Sequence, residues 1–216
     1  HIMRASRVSI FLLDTAQSYR DNETTTKQAI LEWADELGAT TTEVISLAGA
    51  QFRCGGSKEY VDWLDAALGL GQPDVVTTSW RRSSPGTGSF RFQVVEDPAE
   101  LEERLRRRLA QGRTARLLAS YGRPWVTKDE MRPHDLPPDK MDFHIPYRRD
   151  GKTLHWSRVW NFAPGQDYEL FVQAPPGTRM HDDPLSEVGC PYVVRGFDYD
   201  YVGVLWLRDL LWRDGR

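Results

Sequence analysis

The sequence predicts an α/β protein with a mainly parallel sheet flanked by helices. Short apolar runs alternate along the chain with segments in which apolar residues recur at helical spacing. Strands separated by helices of this length pair in parallel through right-handed crossovers. The 216 residues carry 28 Lys and Arg against 31 Asp and Glu, which is ordinary for a globular protein and argues against a polybasic nucleic-acid arm.

The first half of the chain predicts three strands and two helices. The strands are apolar or alternating runs, and each helix carries an apolar stripe. The predicted strands are 8–13, 43–47 and 89–96, and the predicted helices are 26–37 and 57–68. Gly38 follows the first of these helices, where a left-handed residue commonly ends a helix.

The second half contains the clearest helix start. Asp97 is a favourable N-cap, Pro98 suits the first helical position, and Glu100 completes a capping box. This helix is predicted to run to residue 111 and to stop at Gly112. The strands predicted after it are 114–120 and 201–206.

Residues 121–186 interrupt this alternation, because they hold most of the prolines together with tryptophans and histidines that follow no period. We interpret them as a long irregular insertion in a single lobe spanning 4–216, preceded by a cloning scar at 1–3. No apolar run is long enough to span a bilayer, so no membrane partner is predicted. Two cysteines cannot build a disulfide framework or a zinc site, which predicts a reducing, cytoplasmic location.

Residues 147–154 offer two alternatives to a structural hairpin. The chain has one Gly-Lys-Thr, at 151–153, but a phosphate-binding loop needs a glycine where Pro146 stands. Asp139 and Asp150 with Lys152 also match the loose pattern of Mg²⁺-dependent nucleases, in which two carboxylates hold the metal. Since Asp-Gly is a favoured two-residue turn, the hairpin is the preferred interpretation and a nuclease is the weakest functional hypothesis.

Three clusters place polar residues at the ends of predicted strands. The first holds Asp14 and Gln17, the second holds Gln51, Phe52 and Arg53 before a helix N-terminus, and the third holds Tyr192, Arg195, Gly196 and Asp198. Taken alone, Phe52 could stack on a base and Arg53 could meet an anion near that N-terminus. Taken by itself, however, the second cluster is more safely interpreted as a glycine-containing connection with a surface arginine.

In this order and spacing, the clusters resemble the later half of the Schlafen group 3-like DNA/RNA helicase domain family, one of the superfamily-1-like phosphate-loop NTPases. The resemblance covers residues 8–213 and is most specific at 51–57, 115–119 and 196–204. It implies a RecA-like lobe, the second motor lobe of an ATP-dependent DNA/RNA helicase or translocase.

The resemblance also implies a role for each candidate residue. Arg53 would be a catalytic arginine finger toward the γ-phosphate, and Gln17 would sense that phosphate. The implied nucleotide-binding residues are Asp14, Gln51, Phe52, Gly196 and Asp198. The implied contacts to single-stranded DNA or RNA are Tyr192 and Arg195, and no metal ligand is implied in this chain.

The resemblance further implies that ATP and Mg²⁺ bind only together with an N-terminal RecA-like lobe upstream of His1. That lobe would carry the phosphate loop and the metal-binding acids, so this chain alone is not expected to hydrolyse ATP. The family usually shows Thr-Ala-Gln before the fifth-motif glycine, whereas residues 193–195 here are Val-Val-Arg. This departure keeps a second hypothesis open, a non-catalytic nucleic-acid or partner-binding module derived from such a motor.

Overall fold

The computed structural model of the chain comprises two compact units, His1–Thr77 and Thr78–Arg216. The residues that it describes are 2–13, 25–46, 57–70, 90–120, 122–162, 169–194, 197–207 and 209. The described residues of the first unit form the helices α1 (Ile2–Ala5), α2 (Lys27–Glu36) and α3 (Lys58–Leu68). In these described ranges, no helix is both long and apolar enough to cross a membrane.

Local capping sets the ends of α2 and α3, and both helices confirm the sequence prediction. The side-chain hydroxyls of Thr26 and Ser57 each accept the backbone N–H three residues further on. At the other ends, Gly38 and Gly69 adopt φ values of 70° and 67°. Glycine reaches this left-handed conformation without the clash that a Cβ would cause, which explains why both helices stop there.

The three strands predicted in the first half of the chain were wrong in the parts that the structure describes. Residues 8–13, 43–46 and 90–96 form no strand, while 47 and 89 lie outside the described residues. Apolar side chains in them stay largely exposed, as for Val8 and Leu12. An extended apolar run becomes a strand only when its backbone groups pair with a neighbour, and a local pattern does not supply that neighbour.

The second unit is built on a five-stranded sheet with the order β2-β3-β4-β1-β5. The strands are β1 (Ala115–Ala119), β2 (Phe143–Arg149), β3 (Lys152–Trp160), β4 (Glu187–Gly189) and β5 (Tyr201–Leu205). β3, β4, β1 and β5 run parallel, and β2 pairs with β3 as an antiparallel hairpin. The predicted α/β class is therefore confirmed, and the two predicted strands of the second half correspond to β1 and β5.

Helix α4 (Pro98–Leu109) covers one face of this sheet and begins as predicted. The carboxylate of Asp97 accepts the N–H of Glu100 at 2.7 Å. The helix approaches β5 closely because that strand carries Gly203. A Cβ added there would lie 2.7 Å from a methyl carbon of Leu105, so only glycine leaves room for the helix.

Short helices cover the middle of the opposite face. They are α5 (Glu169–Gln173) and α6 (Arg179–Asp182), accompanied by 3-10 turns at Pro133–Asp135 and Pro138–Lys140. The ring of Phe171 in α5 packs directly on β4, where a Cβ added at Gly189 would lie 2.5 Å from it. The centre of the sheet is thus covered on both sides.

The segment predicted as an irregular insertion supplies much of the core. Its hairpin of β2 and β3 turns at Asp150 and Gly151, whose φ values of 51° and 73° fit a two-residue hairpin turn, so the predicted hairpin is confirmed. Trp156 and Trp160 on β3 are buried in the same cluster as the apolar residues of β1. These tryptophans therefore belong to the core of the sheet and not to a separate small core.

A buried carboxylate on α4 holds the second unit together. Glu102 accepts hydrogen bonds from Nε of Arg106 and from the indole N–H of Trp156, both at 2.7 Å, and from the guanidinium of Arg158. Arg106 continues the network by donating two hydrogen bonds, of 3.0 and 2.9 Å, to the carboxylate of Asp183. These contacts tie α4 to β3 and to the segment that leads into β4.

The ion pair between Arg106 and Asp183 shifts the pKa of both groups. Burial by itself would raise the pKa of Asp183, but hydrogen bonds from Arg106 and from the N–H of Leu185 outweigh it, so the pKa is lowered. The hydrogen bond to Asp183 in turn raises the pKa of Arg106. Both groups are therefore charged together over the whole neutral range.

Replacing Glu102 by alanine should destabilise the second unit strongly. Removal of the acid leaves Arg158 and the Trp156 N–H without their partner, and breaking such a buried pair typically costs about 3–5 kcal/mol. The neighbouring Glu103 makes an ion pair with Arg149 while 54% exposed, so Glu103→Ala is the matched control and should cost far less. Urea unfolding measures both, and equal losses would contradict a central role for Glu102.

The Asp183 contact should make stability depend on pH in the acid range. A carboxyl group whose pKa is lower in the folded chain stabilises it above the unfolded pKa of about 3.9, and this contribution disappears as the pH falls through the folded value. The urea midpoint of Asp183→Asn should therefore lie below that of the wild type at pH 7 and converge with it below pH 3.8. The control is Asp182→Asn, at an exposed neighbouring position. A difference that persists unchanged at pH 2 would exclude this contribution.

Candidate functional site

Most of the residues predicted as functional lie outside the described part of the chain. They are Asp14, Gln17, Gln51, Phe52, Arg53, Arg195 and Gly196. Their roles stay predictions. Tyr192 and Asp198 are described, and both belong to the connection 190–200 between β4 and β5.

This connection must cross β1, because β1 lies between β4 and β5 in the sheet. Tyr192 lies in the turn that follows β4 and is 48% exposed, and Asp198 is exposed in the segment that leads into β5. Both predicted residues are therefore exposed, and both belong to the same connection. Side chains there can meet a ligand only if the connection is held in position.

The end of the connection is fixed by a reciprocal contact between Thr114 and Asp200. The carboxylate of Asp200 accepts the N–H and the hydroxyl of Thr114 at 2.9 and 3.0 Å, and the N–H of Asp200 donates to that hydroxyl at 2.9 Å. The Thr114 N–H, with help from its hydroxyl, lowers the pKa of Asp200. This contact aligns the start of β5 with the start of β1.

A buried arginine contacts the same end of the connection, at Tyr199. Arg116 projects from β1 and is 7% exposed, with its guanidinium carbon 4.9 Å from the centre of the Tyr199 ring and 5.9 Å from that of Phe171. It donates to the carbonyl oxygens of Ala115 and Val172 at 2.9 and 3.3 Å. Among the described residues it has no carboxylate partner, so aromatic faces and backbone carbonyls stabilise its charge.

Burial shifts the titration of both members of this pair. Burial lowers the pKa of Arg116, and the nearby Tyr199 has the opposite, smaller effect. Burial also raises the pKa of Tyr199, and the charge of Arg116 opposes that shift. At neutral pH the pair is therefore a cation against a neutral phenol, which is the arrangement that a cation–π contact requires.

A second buried charge, Glu187, lies on this face at the start of β4. One carboxylate oxygen is 3.3 Å from Nε2 of His134, whose ring packs edge-on against Phe162 at 5.4 Å. Its other oxygen, Oε2, is buried without a hydrogen-bond partner in the described ranges. The pair holds the turn at Pro133–Asp135 against the sheet.

The carboxyl ends of the parallel strands form the edge at which open α/β sheets usually bind ligands. Asn161, just after β3, adopts a φ of 56° and accepts the N–H of Cys190 at 3.3 Å, which joins the ends of β3 and β4. Beyond β1, the Asp209 side chain lies against Gly122, where a Cβ would overlap it. The thiol of Cys190 is free and buried.

Arg123 gives this edge a half-buried cation. Its guanidinium carbon lies 4.3 Å from the centre of the Phe143 ring. Burial lowers its pKa, while the charges of Asp209 and Asp142 act to raise it. With Lys140 and neighbouring residues, Arg123 lines an open cavity of about 360 Å³.

The geometry does not assemble the nuclease pattern. Asp139 lies in the turn before β2, whereas Asp150 lies in the turn that joins β2 to β3. The seven residues of β2 separate them, a distance of roughly 20 Å along a strand. Across the described ranges, no group of three or more His, Cys, Asp or Glu side chains converges to hold a metal ion.

Sequence reasoning missed the roles of Arg116 and Arg123. Arg116 stood within the Ala-Arg-Leu-Leu-Ala run as a charge in an otherwise apolar strand, which is the signal that could have identified a buried cation. Arg123 carried no comparable signal, because its environment is created by Phe143 and Asp142 from a different part of the chain.

Comparison with known proteins places the whole chain in one family. The sequence profile described as "Schlafen group 3, DNA/RNA helicase domain" matches residues 1–216. An uncharacterized protein of Saccharomyces cerevisiae, YPL245W, is 22% identical over 219 residues, covering 97% of this chain and 43% of the yeast protein. The chain therefore spans less than half the length of this curated relative. No solved structure matches it.

A double-mutant cycle should reveal the coupling between Arg116 and Tyr199. A desolvated cation–π pair is worth about 1–2 kcal/mol, so Arg116→Met and Tyr199→Leu should be non-additive in urea unfolding by that amount. The pair of exposed Arg108 and half-buried Tyr201, at 5.0 Å, is the matched control cycle and should show a smaller coupling because its arginine stays in water. Additive effects at Arg116 and Tyr199 would mean that the arginine does not hold the connection.

Proposed function

Since the chain belongs to the Schlafen group 3 DNA/RNA helicase domain family, we propose that it is the second motor lobe of an ATP-dependent DNA/RNA helicase or translocase. The observation that carries this proposal is the family match over the whole chain. The parallel sheet supports it, because a RecA-like lobe is an α/β layer structure with its ligand sites beside the sheet.

In this proposal Arg53 acts as an arginine finger on ATP bound mainly by an N-terminal RecA-like lobe. Phosphoryl transfer is catalysed chiefly by positioning and by cations that meet the charge developing on the γ-phosphate. Gln17 would sense the same phosphate, while Asp14, Gln51, Phe52, Gly196 and Asp198 complete the nucleotide site. The phosphate loop and the Mg²⁺-binding acids belong to the other lobe, so this chain alone would not turn over ATP.

The connection 190–200 would carry the contact to nucleic acid in this mechanism. Tyr192 offers an exposed aromatic ring for a base, and Arg195 offers a cation for a phosphate of a single strand. Tyr199 and Asp200 anchor the end of this segment to β1, which supports the role because it fixes where the connection joins the sheet.

Replacing Arg53 by alanine in the full-length polypeptide should abolish ATP hydrolysis and leave nucleotide binding largely intact. Loss of an arginine finger costs about 10³–10⁵ in kcat because it acts mainly on the transition state. Phosphate release measures turnover, and a fluorescent ATP analogue measures binding. Arg132→Ala removes an arginine whose side chain is 83% exposed and is the matched control, which should keep wild-type turnover.

Wild-type turnover in the Arg53→Ala protein would refute the arginine-finger role. A full-length protein that binds single strands but shows no ATPase activity, with or without them, would instead favour the non-catalytic binding module. The Val-Val-Arg sequence at 193–195 is the observation behind that second candidate, since it replaces a polar hydroxyl by an apolar side chain beside the fifth motif.

A further inference from the structure

The hairpin of β2 and β3 has one covered face and one open face. Opposite residues of an antiparallel pair point to the same side, so Phe143, Ile145 and Trp156 face α4 and the core. The other face carries the alternate residues, which are exposed or half-buried. We name it the outer hairpin face, and its polar residues are His144, Arg148, Thr153, His155 and Ser157.

The two faces differ in how their charges are neutralised. On the covered side, Arg149 pairs with Glu103 and Arg158 pairs with Glu102. On the outer hairpin face, Arg148 has no ion-pair partner among the described residues. None of the residues of β2 and β3 on this face is acidic, and Asp150 in the adjoining turn is the nearest acid in the sequence. Arg148 therefore gives this face of the hairpin one positive charge that is not neutralised by an ion pair among the described residues, beside imidazole and hydroxyl groups.

The imidazoles on this face are held in a defined arrangement. The rings of His144 and His155 stack at 4.4 Å between centroids with an interplanar angle of 5°. Nδ1 of His144 lies 2.8 Å from the hydroxyl of Ser157, which orients the ring. Thr153 lies opposite Arg148 in the register, so a hydroxyl accompanies the guanidinium. The His144–His155–Ser157 group and the Arg148–Thr153 pair thus lie next to each other along the hairpin.

We propose that the outer hairpin face binds the sugar-phosphate backbone of a nucleic-acid strand. Arginine, imidazole and hydroxyl groups are the side chains that commonly contact phosphate oxygens, and such contacts position a strand without reading its sequence. The face has no large apolar side chain of the kind that becomes buried at a protein–protein interface, and its positive charge complements a polyanion. This inference rests on the proposed function, since it extends the nucleic-acid contact beyond the connection 190–200.

The test measures binding of fluorescein-labelled oligo-dT and oligo-U to the 216-residue chain by anisotropy across a series of salt concentrations. One phosphate contact contributes about 0.7 to the slope of log K against log salt for a single strand. Arg148→Glu should therefore make the slope shallower, reducing its magnitude by about 0.7 or more, and should weaken binding about five- to tenfold at 50 mM salt. Arg148→Lys should keep the slope, because lysine retains the charge.

Arg132→Glu is the matched control, since it makes the same change of net charge at an exposed position in the same unit. It should alter the slope much less than Arg148→Glu, and far-UV circular dichroism and the Tm verify that both variants fold. Equal slopes for the two variants would overturn the hairpin proposal while the proposed function stands. A wild-type chain that binds neither oligonucleotide would count against the nucleic-acid role itself. Preference for DNA or for RNA is compatible with the proposal, since both carry the same phosphates.

Discussion

The buried carboxylate of Glu102 fixes how helix α4 packs on the sheet of the second unit. A carboxylate removed from water is stable only when its lone pairs are occupied by well-placed donors. The indole of Trp156 and the guanidinium of Arg158 meet that need from β3, and Arg106 meets it from the same helix. The position of α4, the rotation of the hairpin and the approach to β4 are therefore interdependent. A shift in any one of them would leave a buried charge without its partners.

Buried charged groups are stabilised differently on the two faces of the sheet. On the α4 face, acids and arginines pair directly, so the charges are satisfied and the helix is fixed. On the opposite face, Arg116 relies on the rings of Tyr199 and Phe171 and on backbone carbonyls. Aromatic and carbonyl contacts constrain direction less than a bidentate ion pair does. The Arg116 side chain is thus held by a different kind of contact from the ion pairs beneath α4.

The predictable part of the fold was the part with local causes. Caps at Ser57 and Asp97 and the Asp-Gly turn act within a few residues, so the pattern alone located two helices and a hairpin. The strand expected at 8–13 had the right apolar run, but pairing depends on a partner that periodicity does not reveal. The site followed the same rule. Tyr192 and Asp198 lie on one connection as their spacing suggests, whereas the aromatic support of Arg116 comes from distant parts of the chain.

The sheet order also has a consequence for how the chain folds during synthesis. β1 sits between β4 and β5, and the pinning contact of Thr114 with Asp200 joins residues 86 positions apart. The bonds from Arg106 to Asp183 bridge 77 positions. β1 is therefore synthesised before either of its neighbours and stays unpaired until β4 and β5 have been made, whereas the hairpin of β2 and β3 can form as soon as it is complete. Such late, long-range pairing slows folding and leaves an apolar strand exposed to other nascent chains. The chain is therefore most prone to aggregate after β1 has been synthesised and before β5 has been made.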